Sequence, residues 1–384
     1  MCPPYGFLYL FYKPNAIMIQ EGMAKLALSK EEKISKKLPV FYNPIMKLNR
    51  DISIFLLNAL GEDLSVGDIM AGSGVRAIRF LLECENIASV TANDMSINAI
   101  KSIKENCALN GIEVIEGEYA ESNKTKKLLL HNKDARMFLL ESGGFGYIDV
   151  DPFGSPCQFL PSACERLARG GILAVTATDT SALSGTYLSA CRRKYWSNPL
   201  RNHLMHEVGL RILIRRCQLS ASQYDKALLP IYSFSTDHYM RVFFRCEKGK
   251  KKTDDILKEH RYLLYCNKCG HFEISDKNDG ECCSAMQAAG PLWVGQLWDA
   301  SLAEKMAGSG GLMDIIAEEA KVPSIGFFDV HVLSKLMKLG HVKRNDAILS
   351  AVKSAGYKVA RTHLSQSGYR TDMPLDEFKK ILGA

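Results

Sequence analysis

The sequence contains no apolar run of the length, about 20 residues, that a membrane-spanning helix needs. A short apolar patch at residues 7–11 has no basic region before it and no obvious small-residue cleavage site after it, which argues against a secretory signal peptide. We therefore expect a cytoplasmic protein without a membrane partner.

The composition also lacks the marks of a disulfide scaffold and of a disordered chain. The 12 cysteines are spread over 384 residues, and most stand singly in apolar patterns, as buried reduced thiols do. With 47% hydrophobic and 24% charged residues, the composition is typical of globular proteins. The length predicts two or three domains.

Acidic residues are scarce in one segment. Residues 180–261 carry 16 Lys and Arg against 7 Asp and Glu. The excess of positive charge in this segment is therefore larger than the net charge of the whole chain, which is +7. Arg192, Arg193 and Lys194 are followed directly by Tyr195 and Trp196, and basic residues beside aromatic rings suit a nucleic acid. The alternative is an ordinary solvated surface, and we favour contact with RNA or DNA.

Strand-like and helix-like segments alternate through the first half of the chain. Buried-strand patterns occur at residues 66–70, 89–92, 127–131, 147–150, 170–177 and 239–245. Helical patterns follow the first three, and Ser96 and Asn110 are suited to begin and end the second helix. This order predicts an α/β fold with a doubly wound, mostly parallel sheet, in which ligands bind at the carboxyl ends of the strands.

Candidate ligand-binding residues follow three of these strands. Gly72 and Gly74 allow close approach of the backbone, Asp94 suits the hydroxyls of a ribose, and Asp134 with the Ala135 amide suits an adenine. The glycine spacing differs from the Gly-x-Gly-x-x-Gly pattern of NAD-binding proteins. The combination favours S-adenosyl-L-methionine as the cofactor.

The fourth strand is followed by Asp151, Pro152 and Phe153. A carboxylate can accept a hydrogen bond from the exocyclic amine of a base, and the aromatic ring can stack on that base. An ordinary Pro-Gly turn is the alternative for this segment alone. With the preceding carboxylates, it predicts methylation of a base amine.

A set of short motifs is distributed from about Gln20 to the C-terminus. The motifs are Glu21-Gly22, Val40-Phe41-Tyr42-Asn43-Pro44, Leu48-Asn49-Arg50-Asp51, Ala71-Gly72-Ser73-Gly74-Val75-Arg76, Asn93-Asp94, Asp149-Val150-Asp151-Pro152-Phe153-Gly154-Ser155-Pro156, Ala289-Gly290-Pro291-Leu292-Trp293-Val294-Gly295 and Arg361-Thr362-His363, with Gly368 to Asp372 behind them. In these motifs the sequence resembles the tRNA guanine-26 N2-dimethyltransferases of the compact archaeal type.

The resemblance implies a Rossmann-like class I S-adenosylmethionine-dependent methyltransferase sheet and a smaller α+β C-terminal domain. We expect an N-terminal extension at residues 1–19, the methyltransferase domain at 20–250 and a tRNA-binding domain at 251–384. The expected product is N2-methyl- and N2,N2-dimethylguanosine at position 26 of tRNA, made by a monomer. The alternatives are an amino-methyltransferase acting on another nucleic-acid base and a non-catalytic RNA-binding protein.

The resemblance also implies that Arg50, Arg76, Asp94, Asp134 and Ala135 contact the cofactor. An arginine can grip the methionine carboxylate with two hydrogen bonds. From the residues alone, the two arginines would instead be surface ion-pair partners and the two aspartates helix caps.

We expect Asp151 to be the catalytic residue. It would accept a hydrogen bond from guanine N2 and take the proton as the methyl group transfers, while Phe153 stacks on a base that has left the tRNA stack. Asp149 lies two residues earlier, on the same side of the strand, and is expected to be a buried structural carboxylate. His363 is also expected to be structural.

Four cysteines form a candidate zinc knuckle at residues 266–283, with one structural Zn²⁺ expected. Asp279 stands where a second Cys-x-x-Cys would begin, and adjacent cysteines ligate together only with awkward geometry. Asp279 or His271 is therefore an alternative ligand, and reduced cysteines without metal are the other alternative. The candidate ligands are Cys266, Cys269, Cys282 and Cys283.

Overall fold

The computed structural model describes residues 16–29, 40–87, 89–117, 126–236, 238–308 and 310–383. These residues form two compact units. The first unit contains the described residues up to Val150 and Arg166–Gly171, and the second contains Asp151–Glu165 and the described residues from Ile172 onward. Residues 1–15 of the expected extension lie outside the described residues, and the three expected domain limits remain predictions.

The elements follow one another through the two units. The strands are β1 (Ala16–Glu21), β2 (Ala24–Ser29), β3 (Val66–Asp68), β4 (Ser89–Asn93), β5 (Glu113–Glu116), β6 (Lys127–His131), β7 (Phe145–Val150), β8 (Leu167–Ala177), β9 (Lys226–Ser235), β10 (Met240–Lys248), β11 (His260–Tyr265), β12 (Phe272–Ser275), β13 (Gln287–Trp293), β14 (Phe328–Asp329), β15 (Val359–Arg361) and β16 (Gly368–Thr371). The helices are α1 (Lys47–Leu60), α2 (Val75–Glu83), α3 (Ile97–Leu109), α4 (Ala135–Glu141), α5 (Leu160–Arg166), α6 (Thr180–Leu183), α7 (Leu188–Tyr195), α8 (Met205–Ser222), α9 (Lys250–Lys258), α10 (Ala300–Lys305), α11 (Leu312–Glu319), α12 (Val330–Met337), α13 (Asn345–Ser354) and α14 (Leu375–Leu382), with a 3₁₀ turn at Pro44–Met46 before α1.

The main sheet has eight strands in the order β5-β6-β4-β3-β7-β8-β10-β9. The five strands from β5 to β7 pair in parallel, with Val66 opposite Val90 on one side and Tyr147 on the other. Strand β10 is antiparallel to both β8 and β9. The buried apolar strands and the alternating helices confirm the predicted mostly parallel α/β sheet.

In the first unit, the hairpin β1–β2 turns at Gly22, whose φ of +56° favours glycine. The hairpin is fastened to α3 by two asparagines. The Ala27 N–H donates to Asn106 Oδ1 at 2.8 Å, and the Lys25 N–H donates to Asn110 Oδ1 at 2.9 Å.

In the second unit, smaller antiparallel sheets accompany the helices, in the orders β12-β11-β13 and β14-β16-β15. The last of these packs with α12–α14 around a buried apolar cluster that includes Phe328, Leu333, Ile348, Tyr369 and Phe378. This confirms the smaller α+β part of the fold. Within the described residues, the helices lack either the length or the apolar character required to cross a membrane.

A buried ionic network crosses the second unit. Arg370 donates to Glu207 on α8 at 2.6 Å and to Glu319 at the end of α11 at 2.9 Å. Glu319 also pairs with His363 Nδ1 at 2.6 Å. Since these four side chains are almost completely buried, the position of His363 suits the structural role expected for it.

Candidate active site and metal centre

The glycine turn after β3 is bonded directly to the carboxylate that follows β4. The Gly72 N–H donates to Asp94 Oδ2 at 2.9 Å, and the Ser96 N–H donates to Asp94 Oδ1 at 2.8 Å. A Cβ on Gly72 would lie 2.9 Å from the carbonyl oxygen of Phe41, and both Gly72 and Gly74 have positive φ. The turn therefore requires glycine, and it holds Asp94 at the carboxyl end of the sheet.

Asp134 is the N-cap of α4 and Ala135 is the first residue of that helix. Asp134 Oδ1 accepts from the N–H groups of Arg136 and Met137 at 2.9 and 3.4 Å. The hydrogen bond from the Arg136 side chain lowers the pKa of Asp134, so its carboxylate stays ionised. Asp134 thus caps the helix, as one of the sequence interpretations had it. Its carboxylate oxygens also keep lone pairs that can accept from a ligand.

Asn93 connects the ends of three neighbouring strands. Its side-chain amide donates to the Ile69 carbonyl at 3.1 Å and to the Lys133 carbonyl at 3.0 Å, while its oxygen accepts from the Lys133 N–H at 3.0 Å. This buried residue fixes the turn that precedes Asp134 relative to the segment that follows β3. In the sequence, only the position of Asn93 next to Asp94 indicated a role for it.

Arg50 and Arg76 are both buried, which excludes the exposed surface pairs considered as an alternative. Arg50 on α1 makes two bonds to Glu21, at 2.7 and 2.5 Å. Arg76 on α2 donates to Asn49 Oδ1 at 2.9 Å and lies 3.3 Å from Asp149. Each guanidinium is therefore held in a fixed orientation by side chains of the first unit.

Asp149 is buried in β7, as expected of a structural carboxylate. Its Oδ2 accepts from the hydroxyl of Tyr147 at 2.7 Å and pairs with Arg76. The Asp149 carboxylate therefore orients the Arg76 guanidinium.

In the second unit, the segment Asp151–Pro156 directly follows β7. Asp151 is half-buried, Pro152 is buried and Phe153 is 43% exposed. The Gly154 N–H donates to Thr178 Oγ1 at 2.6 Å, and the Thr178 N–H donates back to the Gly154 carbonyl at 3.0 Å. The reciprocal bonds attach this segment to the residue just beyond β8.

Asp179 follows Thr178 and is a polar group to which the sequence assigned no role. It accepts from the hydroxyl of Tyr195 at 2.5 Å and from Lys194 Nζ at 3.0 Å. Burial, and then the Asp179 charge, raise the pKa of Tyr195 far above its usual value, so the phenol remains a donor. These bonds connect the end of α7 to the end of β8.

The four candidate zinc ligands converge in the second unit. Their sulfur atoms all lie within 4.8 Å of one another. The Sγ atoms of Cys266 and Cys283 are 3.5 Å apart, and those of Cys269 and Cys282 are 3.6 Å apart. Tetrahedral Zn–S bonds of about 2.3 Å place the sulfurs about 3.8 Å apart, so the set fits one Zn²⁺.

The adjacent cysteines thus both reach the cluster. Neither alternative ligand joins the group found among the described residues. His271 instead pairs with Glu273, with its Nε2 at 3.3 Å from the carboxylate.

The strand order, the glycine turn and the carboxylates after β4 and β6 define the fold of a class I S-adenosylmethionine-dependent methyltransferase. The model of the N2,N2-dimethylguanosine tRNA methyltransferase family matches residues 22–383. The chain therefore belongs to this family, which confirms the resemblance noted in the sequence.

Relatives of similar length align over nearly the whole chain. The tRNA (guanine(26)-N(2)/guanine(27)-N(2))-dimethyltransferase of Aquifex aeolicus is 38% identical, with 94% of this chain and 95% of the relative covered. The tRNA (guanine(26)-N(2))-dimethyltransferase of Methanothermobacter thermautotrophicus is 35% identical, with 95% and 98% covered. The solved complex of Trm1 from Pyrococcus horikoshii with S-adenosyl-L-methionine is 36% identical, with 95% and 99% covered and a TM-score of 0.83.

Proposed function

We propose that this chain transfers methyl groups from S-adenosyl-L-methionine to the exocyclic N2 of guanosine 26 in tRNA, giving N2-methyl- and N2,N2-dimethylguanosine. Family membership over residues 22–383 supports the substrate class. The observation that carries the chemistry is the half-buried carboxylate of Asp151, two residues before the exposed ring of Phe153. We assign the reaction to a cytoplasmic monomer.

The first unit offers acceptors and donors that fit the cofactor. Asp94 and Asp134 each use part of their carboxylate for backbone N–H groups, and a carboxylate has about four lone-pair sites. We assign the ribose hydroxyls to Asp94, and the adenine amine and ring nitrogen to Asp134 and the Ala135 N–H. Gly72 and Gly74 allow the backbone to approach the ligand.

Arg50 and Arg76 are assigned to the methionine carboxylate. The bonds from Arg50 to Glu21 engage Nε and Nη2, so Nη1 is the atom assigned to the ligand. Arg76 is already oriented by Asn49 and Asp149. Because both side chains are held before binding, little side-chain entropy is lost on complex formation.

S-adenosyl-L-methionine, when bound, supplies a methyl group on a sulfonium, which is a good leaving group. The lone pair of guanine N2 is delocalised into the ring, so N2 is a poor nucleophile. A hydrogen bond from N2–H to Asp151 localises that lone pair. As the N–C bond forms and the methyl–sulfur bond breaks, with its electron pair left on sulfur, the proton passes from N2 to the Asp151 carboxylate. Phe153 stacks on the guanine and limits its orientation.

Dimethylation requires Asp151 to act twice. Each methyl transfer delivers one proton from N2, so Asp151 must release the first proton to solvent before the second transfer. The half-buried position of its side chain is compatible with that release. The second round begins from a monomethylated amine, which still carries one N2 proton.

The test is nucleoside mass spectrometry of tRNA incubated with the protein and S-adenosyl-L-methionine, with the modified position mapped by nuclease digestion. We expect dimethylguanosine at position 26 and a loss of roughly a hundredfold or more in rate for Asp151→Ala with cofactor affinity retained. Near-wild-type transfer by Asp151→Ala rejects its role as base. Methylation of another base supports the first alternative, and no methylation supports a non-catalytic RNA-binding protein.

A further inference from the structure

Trp196 is a large aromatic side chain of the second unit that lies outside the core. The chain has three tryptophans. Trp293 and Trp298 are 5% and 6% exposed, whereas Trp196 is 55% exposed. A single exposed apolar side chain is ordinary in itself, but this indole is distinguished by the contacts that fix it and by the basic residues beside it.

The backbone of Trp196 is constrained in an unusual conformation. Its φ of 55° and ψ of 43° lie in the left-handed region, which is unfavourable for a residue with a Cβ. The Trp196 N–H donates to the Arg192 carbonyl at 3.1 Å, and the Trp196 carbonyl accepts from Arg215 Nη1 at 3.2 Å. The fold therefore holds Trp196 at the end of α7 at an energetic cost.

The indole rests on a fixed cation. The Arg216 Cζ lies 4.0 Å from the ring centroid, and Arg216 is itself buried. Its Nη1 donates to Ser220 Oγ at 2.6 Å and its Nε donates to the Lys194 carbonyl at 3.2 Å. The guanidinium supports the ring and adds positive charge beneath it.

Three exposed basic residues, Arg192, Arg193 and Lys194, precede this tryptophan in the last turns of α7. These residues adjoin Trp196 along the chain, and aromatic rings on which bases stack contribute strongly to single-stranded nucleic-acid binding. A surface that combines dense positive charge with a rigid π face suits a nucleotide better than a protein partner.

This surface is linked to the segment that carries Asp151. Tyr195 and Lys194 bond to Asp179, and the neighbouring Thr178 makes the reciprocal bonds to Gly154. All of these residues belong to the second unit. The α7 end and the Asp151–Pro156 segment are therefore parts of one hydrogen-bonded arrangement.

We propose that Trp196 stacks on an unpaired base flanking the target guanine in tRNA, while Arg192 and Arg193 contact the adjoining phosphates. A base that leaves the stack deprives its neighbour of a stacking partner, and Trp196 replaces that partner. The inference rests on the proposed function for its substrate, and it assigns a positioning role to Trp196.

The test combines tRNA fluorescence titration with steady-state kinetics. Because the other two tryptophans are buried, tRNA should quench the emission of Trp196, and Trp196→Phe should abolish this response. Trp196→Gly and Trp196→Ala should raise the KM for tRNA by roughly tenfold, while kcat and the Kd for S-adenosyl-L-methionine stay unchanged. Glycine adopts a positive φ readily, so a loss shared by both variants reports on the ring and not on the backbone.

Ile315→Ala, at a 40% exposed apolar residue of α11, is the matched control and should leave the KM unchanged. A KM within about twofold of the wild type for both Trp196 variants overturns the inference. Unquenched emission at saturating tRNA also overturns it. If tRNA quenches the emission but is not methylated, the contact of Trp196 with tRNA stands and the proposed function fails. If tRNA is methylated but neither quenching nor a change in KM is seen, the proposed function stands and the inference fails.

Discussion

Arg50 holds Glu21 through two hydrogen bonds, from Nε to Oε1 at 2.7 Å and from Nη2 to Oε2 at 2.5 Å. Arg79 adds a bond to Oε1 and Tyr42 a bond to Oε2, both at 2.9 Å. Burial alone would raise the pKa of Glu21, but the bonds from Arg50, Tyr42 and Arg79 lower it to about 2. A single buried carboxylate thus attaches the first hairpin to α1 and α2.

We expect Glu21→Gln to lower the free energy of unfolding by about 3 kcal/mol, since removing one member of a buried ion pair leaves the other charge uncompensated. Urea denaturation followed by circular dichroism measures the loss. The matched control is Glu85→Gln at an exposed position, which should change the stability by less than about 0.5 kcal/mol. Equal effects of the two substitutions would show that the Glu21 contacts contribute no net stability.

Acid should weaken the network around Glu319. Burial alone would raise the pKa of Glu319, but His363, Arg370 and Thr362 lower it from 4.5 to about 2. Because the folded-state pKa lies below the unfolded one, the stabilisation is complete above pH 4.5 and is lost as the pH falls toward 2. Glu319→Gln should therefore be less stable than wild type at neutral pH, with a difference that shrinks below pH 4.5. Urea titrations across this range test it, and a difference independent of pH contradicts it.

The purified protein should contain about one zinc ion per chain, because the four sulfurs fit a tetrahedral site. Cys283→Ser should lose the metal and lower the thermal midpoint, as should treatment of the wild type with a chelator. His271→Ala and Asp279→Ala are the controls, and both variants should retain the zinc ion. Elemental analysis provides the measurement, and less than about a tenth of an equivalent in the wild type rejects the site.

Asp94→Asn should weaken binding of S-adenosyl-L-methionine roughly tenfold to a hundredfold, because hydrogen bonds to a charged acceptor are stronger than hydrogen bonds to a neutral one. Isothermal titration calorimetry gives the Kd directly. Asp63→Asn removes the same charge at an exposed position and should bind the cofactor as the wild type does. Unchanged affinity in both variants would remove Asp94 from the cofactor site.

Local sequence patterns were sufficient to predict much of the parallel sheet and the helices that follow its strands. Helix α3 begins after Ser96 and ends before Asn110, as the capping residues predicted. Strand β9 was not predicted, and it contains Pro230, a residue type that argues against a strand. The structure accommodates Pro230 at a register shift opposite Phe244, on the edge strand of the sheet.

The candidate site was predictable where its residues follow strands and unpredictable where they depend on distant partners. Asp94 and Gly72 are joined because adjacent parallel strands end at the same edge of a sheet. Arg79, in contrast, lies 58 residues from Glu21, and only the folded chain brings them together. The same holds for Asp179, whose partner Tyr195 lies 16 residues later, at the end of α7.

The attachment of the β1–β2 hairpin to α3 has a consequence for folding during synthesis. Lys25 leaves the ribosome 85 residues before its partner Asn110, and Ala27 leaves 79 residues before Asn106. The hairpin is at best marginally stable alone in water, so it first depends on the bonds from Arg50 and Arg79 to Glu21, and it cannot make its bonds to Asn106 and Asn110 until α3 has emerged. The earliest described segment to be translated therefore completes its contacts only after α1, α2 and α3 have all been synthesised.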